Sequence, residues 1–195
     1  GGKYDATNVI QPEVGIISTI SFDHTEVLGN SLVEIAAEKG GIIKPGSVVV
    51  ASPQPSEVAQ VIEKICQSRR ARLVRVGSEV TWRSLSFDLD RQLFQVKGRM
   101  HSYSLSIPLL GHYQLANAAT AVAALEVLME KGFNISTESI TEGLARVSWP
   151  GRFQILSRHP LIVVDGAHNP DSARRLKQTV EQYLDFDRAI LVIGA

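Results

Sequence analysis

The chain has 195 residues, 44% of them hydrophobic, enough to bury a core in one large or two small domains. Its 20 basic residues balance 20 acidic ones, so bulk charge gives no reason to expect nucleic acid or an anionic membrane as a partner. Cys66 is the single cysteine and cannot form an internal disulfide, no apolar run reaches membrane-spanning length, and Gly1–Asp5 lacks a secretory pattern, so a cytoplasmic protein with a reduced thiol is expected.

Gly1 to Gln11 is rich in turn residues, and Asp5, Thr7 and Asn8 can bond nearby backbone. Gly2-Lys3 does not close a phosphate-binding P-loop, because Tyr4 stands where that motif needs Ser or Thr. Gly41 to Ser47 has two glycines but no Lys after the second, so the chain carries no complete P-loop. The chain has no initiating Met and stops in the apolar run Leu191-Val192-Ile193, so both ends read as cut from something longer.

Val14 to Ile20 reads as a buried strand that presents Asp23 and His24 near its carboxyl edge, where open α/β sheets place ligands. The stretch alone leaves His24 open between a metal ligand and an ordinary loop histidine, since no second His sits nearby at a ligand spacing. Ser31 and Glu34 have the spacing of a capping box, which predicts a helix over 32–39 with Lys39 in its last turn and Gly40-Gly41 as the stop. By position alone Lys39 is a solvated helix-end cation.

A strand over 48–51 and an amphipathic helix from Ser56 to Arg70, holding Cys66 in its apolar pattern, continue an α/β alternation. From Arg72 the texture shortens to the runs 73–76, 80–82, 87–89, 93–96 and 103–107, punctuated by Asp90-Arg91 and Lys97-Gly98, which predicts a small antiparallel section. Leu115, Val122, Leu125 and Met129 recur at helical spacing in a buried helix ending near Gly132, with Asn117 close to its start on another face. A helix over 140–147 follows, and Ser148 to Arg152 breaks the pattern, placing a domain boundary between 1–150 and 151–195. Strands over 153–156 and 161–164 lead to Asp165-Gly166-Ala167-His168-Asn169-Pro170, where Asn169 suits an N-cap and Pro170 the first helical position. The helix continues to Tyr183, and 190–193 is predicted as the next strand.

Six stretches in order carry a family pattern: Gly1-Gly2-Lys3-Tyr4-Asp5-Ala6-Thr7-Asn8, Asp23-His24-Thr25, Ala37 to Lys44, Gly111 to Ala118, Trp149 to Arg152, and Asp165 to Pro170. Together they resemble the folylpolyglutamate synthase/dihydrofolate synthase family of the Mur ligase superfamily, across essentially the whole chain. The resemblance implies an α/β fold: part of a central ATPase domain with a small antiparallel section, then the start of a Rossmann-like C-terminal domain. It implies ATP-dependent amide formation, in which a carboxylate of dihydropteroate or of a folate's terminal glutamate becomes an acyl phosphate that the amine of L-glutamate attacks. ATP and two Mg2+ ions are the implied cofactors, with Mn2+ as a substitute.

Position by position, the resemblance makes His24 a magnesium ligand and Lys39 the family's carbamylated lysine, an anionic oxygen ligand in place of a cation. It makes Asn117 the adenine contact, Arg152 a phosphate contact, Asp165 a ribose contact, and His168 a residue beside an anion-favouring helix start. The family's P-loop and the glutamate preceding its Gly-Gly are absent from this sequence, so the 195-residue chain alone is expected to be inactive. A cell-wall peptide ligase of the Mur type and a nonenzymatic nucleotide-binding remnant are the alternatives. The oligomeric state is not legible, with a monomer as the default.

Overall fold

Where apolar runs alternate with helices, the chain builds a parallel sheet. The structure is a computed structural model that describes residues 2–22 and 31–194. Strands β1 (Gly15–Ile17), β2 (Val48–Ala51) and β3 (Arg72–Arg75) lie in the order β1-β2-β3, all parallel. Helix α1 (Leu32–Lys39) begins with the capping box of Ser31 and Glu34 read in the sequence, and α2 (Ser56–Ser68) carries the chain from β2 to β3. Alternate residues of β2 face opposite layers. Val49 joins a core with Ile35, Ala36, Val58, Ile62 and Cys66, while Val50 joins one with Val74, Leu115, Ala119 and Val122. The sheet is thus covered on both sides. Burial pushes the Cys66 thiol up, in keeping with the structural cysteine expected there.

One run belongs elsewhere than the sequence suggests. Leu73 to Val76, grouped with the antiparallel section, lies mainly in β3 and pairs in parallel with β2, because the α2 crossover returns the chain in the same direction.

The antiparallel sheet consists of β4 (Thr81–Phe87), β5 (Gln92–Lys97) and β6 (Ser102–Ile107). The two short runs at 80–82 and 87–89 are bridged by one strand, β4, which takes in residues 81, 82 and 87 of them and has a register shift between Ser84 and Ser86. Asp88 lies in the turn, where its carboxylate accepts from the backbone N–H of Asp90 (2.7 Å) and Arg91 (2.9 Å), which holds its carboxyl below the usual range. Phe94, Val96, Tyr103, Leu105 and Ile107 form the buried face, which shares a core with helix α3 (His112–Glu130).

Helix α4 (Thr137–Ala145) packs along β6 and begins three residues earlier than its apolar pattern suggests, because the Ser136 hydroxyl caps the Ser139 N–H at 3.1 Å. An antiparallel hairpin of β7 (Gln154–Arg158) and β8 (Leu161–Val164) then leads to α5 (Pro170–Tyr183). The predicted strand over 190–193 does not form: its four side chains are exposed, and no described strand lies alongside to accept a ladder of hydrogen bonds. Among the described residues no helix is long and apolar enough to cross a membrane.

Candidate functional site

The end of α1 and the first residues of the chain form one stapled unit around Lys39. The Lys3 N–H donates to the Glu38 carbonyl (3.0 Å), and the Tyr4 N–H donates to the Glu38 carboxylate (3.3 Å). Asn8 Nδ2 donates to the carbonyls of Lys3 (3.1 Å) and Gly41 (3.4 Å), while Lys44 Nζ donates to the Asn8 carbonyl at 2.5 Å. The Arg69 guanidinium satisfies the carbonyls of Gly41 and Ile43. Gly41 permits this closeness, because a Cβ there would lie 2.6 Å from Lys3 Cα. Asp5 caps the 3-10 turn Ala6–Val9 by accepting from the Thr7 hydroxyl and N–H, which lowers its carboxyl to about 2.

Lys39 is half-buried in the last turn of α1 and is not the fully solvated cation that position alone suggests. Among the described residues none hydrogen-bonds its Nζ. Asp23 and His24 lie outside the described residues. The backbone that leads toward them is held by Gln54, whose Oε1 accepts from the Ile20 N–H (2.9 Å) and whose Nε2 donates to the Ser18 carbonyl (2.9 Å). Among the described residues no three His, Cys, Asp or Glu side chains converge as a cation site. A lysine ammonium repels a metal ion, so the described residues do not by themselves make up the donor set that Mg2+ needs.

A second group of polar residues meets at the start of α3. Gly111, with φ of 109°, turns the chain into the helix and places Tyr113 and Asn117 one turn apart on one face. Asn117 is exposed and donates to Gln114 Oε1 at 2.9 Å. Burial pushes the Tyr113 phenol up, the nearby Asp165 carboxylate adds to the push, and the guanidiniums of Arg152 and Arg175 oppose it. Arg175 sits over the Tyr113 ring at 5.8 Å and is anchored by Asp171 at 2.7 Å. Tyr113 is therefore where α5 reaches the start of α3 through Arg175, within range of the charges of Arg152 and Asp165 and one helical turn before Asn117.

The linker that carries Arg152 is sewn to the turn after β8. Asp165 accepts from the N–H of Phe153 (2.8 Å) with one oxygen and of Ala167 (2.8 Å) with the other, and the Gly166 N–H donates to the Gly151 carbonyl (2.8 Å). Gly151 (φ 75°) and Phe153 (φ 45°) supply the left-handed backbone of this bend. Exposed Arg152 lines a cleft of about 410 Å³ together with Asp90, Leu109, Trp149, Phe153 and Arg158. His168 is exposed beside the α5 N-terminus, its Nδ1 2.8 Å from the Gly166 carbonyl, and Asn169 caps the helix at the Ser172 N–H (2.8 Å).

Arg152 and Asp165 thus flank one bend, with His168 three residues after Asp165, while Arg175 of α5 reaches Tyr113, one turn before Asn117. Among the described residues no hydrogen bond or ion pair links Lys39 to that group. Residue-by-residue reading gives Asn8 a role in bonding nearby backbone, which its bond to the Lys3 carbonyl fulfils, but it assigns none to Tyr113 or Gln54 and does not reveal the Asn8 bonds to distant segments. Tyr113 had a usable signal in its one-turn spacing from Asn117, whereas the partners of Gln54 and Asn8 lie more than thirty residues away in sequence for most of their bonds.

Fold and candidate site together give a parallel sheet with helices on both faces, then a linker arginine and a second unit seated at the start of α3. Residues 2–125 match the Mur ligase middle domain, and residues 151–195 match the glutamate ligase domain of Mur ligases. The chain belongs to the Mur ligase family.

Among its relatives, the dihydrofolate synthase/folylpolyglutamate synthase of Bacillus subtilis (strain 168) is 33% identical over 198 residues, covering 100% of this chain and 46% of that protein. The folylpolyglutamate synthase of Lacticaseibacillus casei is 34% identical over 207 residues, covering 100% of this chain and 45% of that one. A solved FPGS–AMPPCP–folate complex superimposes with a TM-score of 0.89 at 32% identity, over 93% of this chain and 45% of that chain. A Mycobacterium tuberculosis folylpolyglutamate synthase complexed with ADP does so with a TM-score of 0.88 at 35% identity, over 95% and 42% of the two chains. The chain spans somewhat under half the length of these relatives.

Proposed function

We propose that residues 1–150 form part of the ATP-binding domain, and residues 151–195 the beginning of the C-terminal domain, of an ATP-dependent ligase that adds L-glutamate to dihydropteroate or to folates. The observation that carries this reading is the seating of α5 at the start of α3, where Arg175 lies over the Tyr113 ring one turn before Asn117, in a chain whose relatives are folylpolyglutamate and dihydrofolate synthases. In the proposed reaction a substrate carboxylate oxygen attacks the γ-phosphorus of ATP, forming an acyl phosphate and releasing ADP. The glutamate amine then attacks the acyl carbon, the new C–N bond forms, phosphate departs, and the amine loses its proton.

In this reading Asn117 holds the adenine, Asp165 the ribose, and Arg152 the phosphates through its fork of donors. Asp165 retains acceptor capacity on both oxygens beyond the bonds to Phe153 and Ala167. His168 sits where the α5 N-terminus favours an anion. Lys39, as a carbamate, and His24, as a nitrogen donor, would help to hold magnesium ions, which would neutralise charge on the phosphates. The described residues do not complete that metal site, so no step is assigned to it. The proposed setting is the cytoplasm.

The test is ADP release by a full-length ligase in which this chain is joined to a P-loop segment and to the remainder of the C-terminal domain, with ATP, L-glutamate and either dihydropteroate or tetrahydrofolate. Release that depends on both the pterin acceptor and glutamate is expected. Release only with a nucleotide-linked peptide acceptor would move the assignment to the cell-wall branch, and no acceptor-dependent release would overturn it. The 195-residue chain by itself, which has no complete P-loop, is expected to release none.

A further inference from the structure

The seam between the part of the chain before the linker and α5 contains one buried amide whose three hydrogen bonds all join separate segments. Gln92 opens β5 and is 1% exposed. Its Nε2 donates to the carbonyls of Leu109 (2.7 Å) and Gly111 (3.0 Å), and its Oε1 accepts from the Tyr183 hydroxyl at 2.6 Å. The first two partners belong to the turn that aims α3. The third is the last residue of α5, on the far side of the linker.

The surroundings make this contact selective. The Tyr183 ring packs against Phe87 (centroids 4.7 Å apart) and Phe153 (6.2 Å), and burial pushes its phenol up. One turn earlier on α5, Thr179 is buried with its hydroxyl donated to the Arg175 carbonyl, facing Gly111 so closely that a Cβ there would lie 2.9 Å from Thr179 Oγ1. An apolar residue in place of Gln92 would fill the volume, but would leave the carbonyls of Leu109 and Gly111 without these donors. A polar group satisfied only in one arrangement penalises every other arrangement by the cost of its unmade bonds.

We propose that Gln92 and Tyr183 are a latch: positioning residues that fix α5, and with it the linker turn, against the Gly111 turn, so that Asn117, Arg152 and Asp165 are presented together before nucleotide arrives. The residues touch no reacting atoms and act through the backbone of Leu109–Gly111 at one end and α5 at the other. The kinetic consequence rests on the nucleotide role proposed above, whereas the geometric consequence does not.

The experiment therefore has two arms. Spin labels at Ser84→Cys on β4 and Gln178→Cys on α5, both exposed positions, report the distance across the seam in the 195-residue chain, since Cys66 is buried and takes no label. A single narrow distance is expected. Tyr183→Phe, which keeps the ring packing on Phe87 and Phe153, should broaden that distribution, as should Gln92→Leu. An unchanged distribution in both variants would overturn the latch, whatever happens to the melting temperature.

In the full-length ligase, Tyr183→Phe should raise the KM for ATP roughly fivefold with kcat changed less than about twofold, the signature of a lost preorganised population. A fall in kcat with KM unmoved, or no kinetic change beside a broadened distance, would overturn the positioning role. If that polypeptide shows no ligase turnover at all, the reaction assignment fails and the distance measurement still decides the latch.

Discussion

The Tyr103 hydroxyl donates to the carboxylate of Glu126 at 3.0 Å, joining β6 to the C-terminal part of α3 inside the core. Glu126 is fully buried and also accepts from the backbone N–H groups of Arg99 (2.7 Å), Met100 (3.3 Å) and His101 (3.1 Å), so one side chain satisfies the β5–β6 turn. Gly98 is required beside it, because a Cβ there would fall within 2.6 Å of Glu126 Cδ. Replacing Glu126 with Leu keeps an apolar core residue but leaves four donors unpaired. A loss on the order of 3 kcal/mol is expected in urea unfolding, with an unchanged slope.

The same pair sets the alkaline behaviour. Burial, then the hydrogen bond and the charge of Glu126, push the Tyr103 phenol above its usual range, and burial pushes Tyr113 and Tyr183 the same way. In the unfolded chain these phenols ionise near pH 10, while in the fold they stay neutral to higher pH, so their contribution is complete below about pH 10 and is lost as pH rises further. Denaturation midpoints should therefore hold up to about pH 10 and fall from about pH 10 to 12. Tyr103→Phe should flatten that fall, and a slope identical to the parent's would contradict the assignment.

Gly41→Ala tests the staple around Lys39. The added methyl would overlap the Lys3 backbone, so residues 2–5 must lift from the end of α1. Overpacking of this kind costs about 2 kcal/mol. Limited proteolysis read by mass spectrometry should show new cleavage within the first ten residues, with the sites around β4–β6 unaffected.

Lys39 carries the proposed carbamate. In the full-length ligase, Lys39→Ala should lower turnover roughly a hundredfold or more, the scale of losing one preorganised electrostatic group. Short carboxylates such as acetate should restore part of it. Wild-type turnover in the variant would rule the role out.

Most elements were legible because their signals are local. The capping pair Ser31 and Glu34, the apolar spacing from Leu115 to Met129, and Asn169-Pro170 each announced a helix within a few residues. Parallel pairing of 72–75 was not legible, since strand direction depends on where α2 delivers the chain. The apolar run 190–193 looked like a strand because β-propensity describes side chains, whereas a strand is made by a neighbour. Within the site, Asn117, Arg152 and Asp165 could be named from motif resemblance. Gln92, Gln54 and Glu126 could not, because each gains its role from partners in distant segments, and a lone Gln or Glu in sequence looks like a surface residue.

Helix α3 touches three different parts of the molecule at three heights: Arg175 of α5 over Tyr113, Ser52 beyond the end of β2 through the 2.9 Å hydroxyl contact with Thr120, and the β5–β6 turn through Glu126. A rod anchored in this way behaves as a shared axle. The parallel and antiparallel sheets have no means of melting in succession, because either one leaving would strip a buried face from the same helix. Amide protons in β2 and in β5 should therefore exchange with solvent at a common rate, through one opening event.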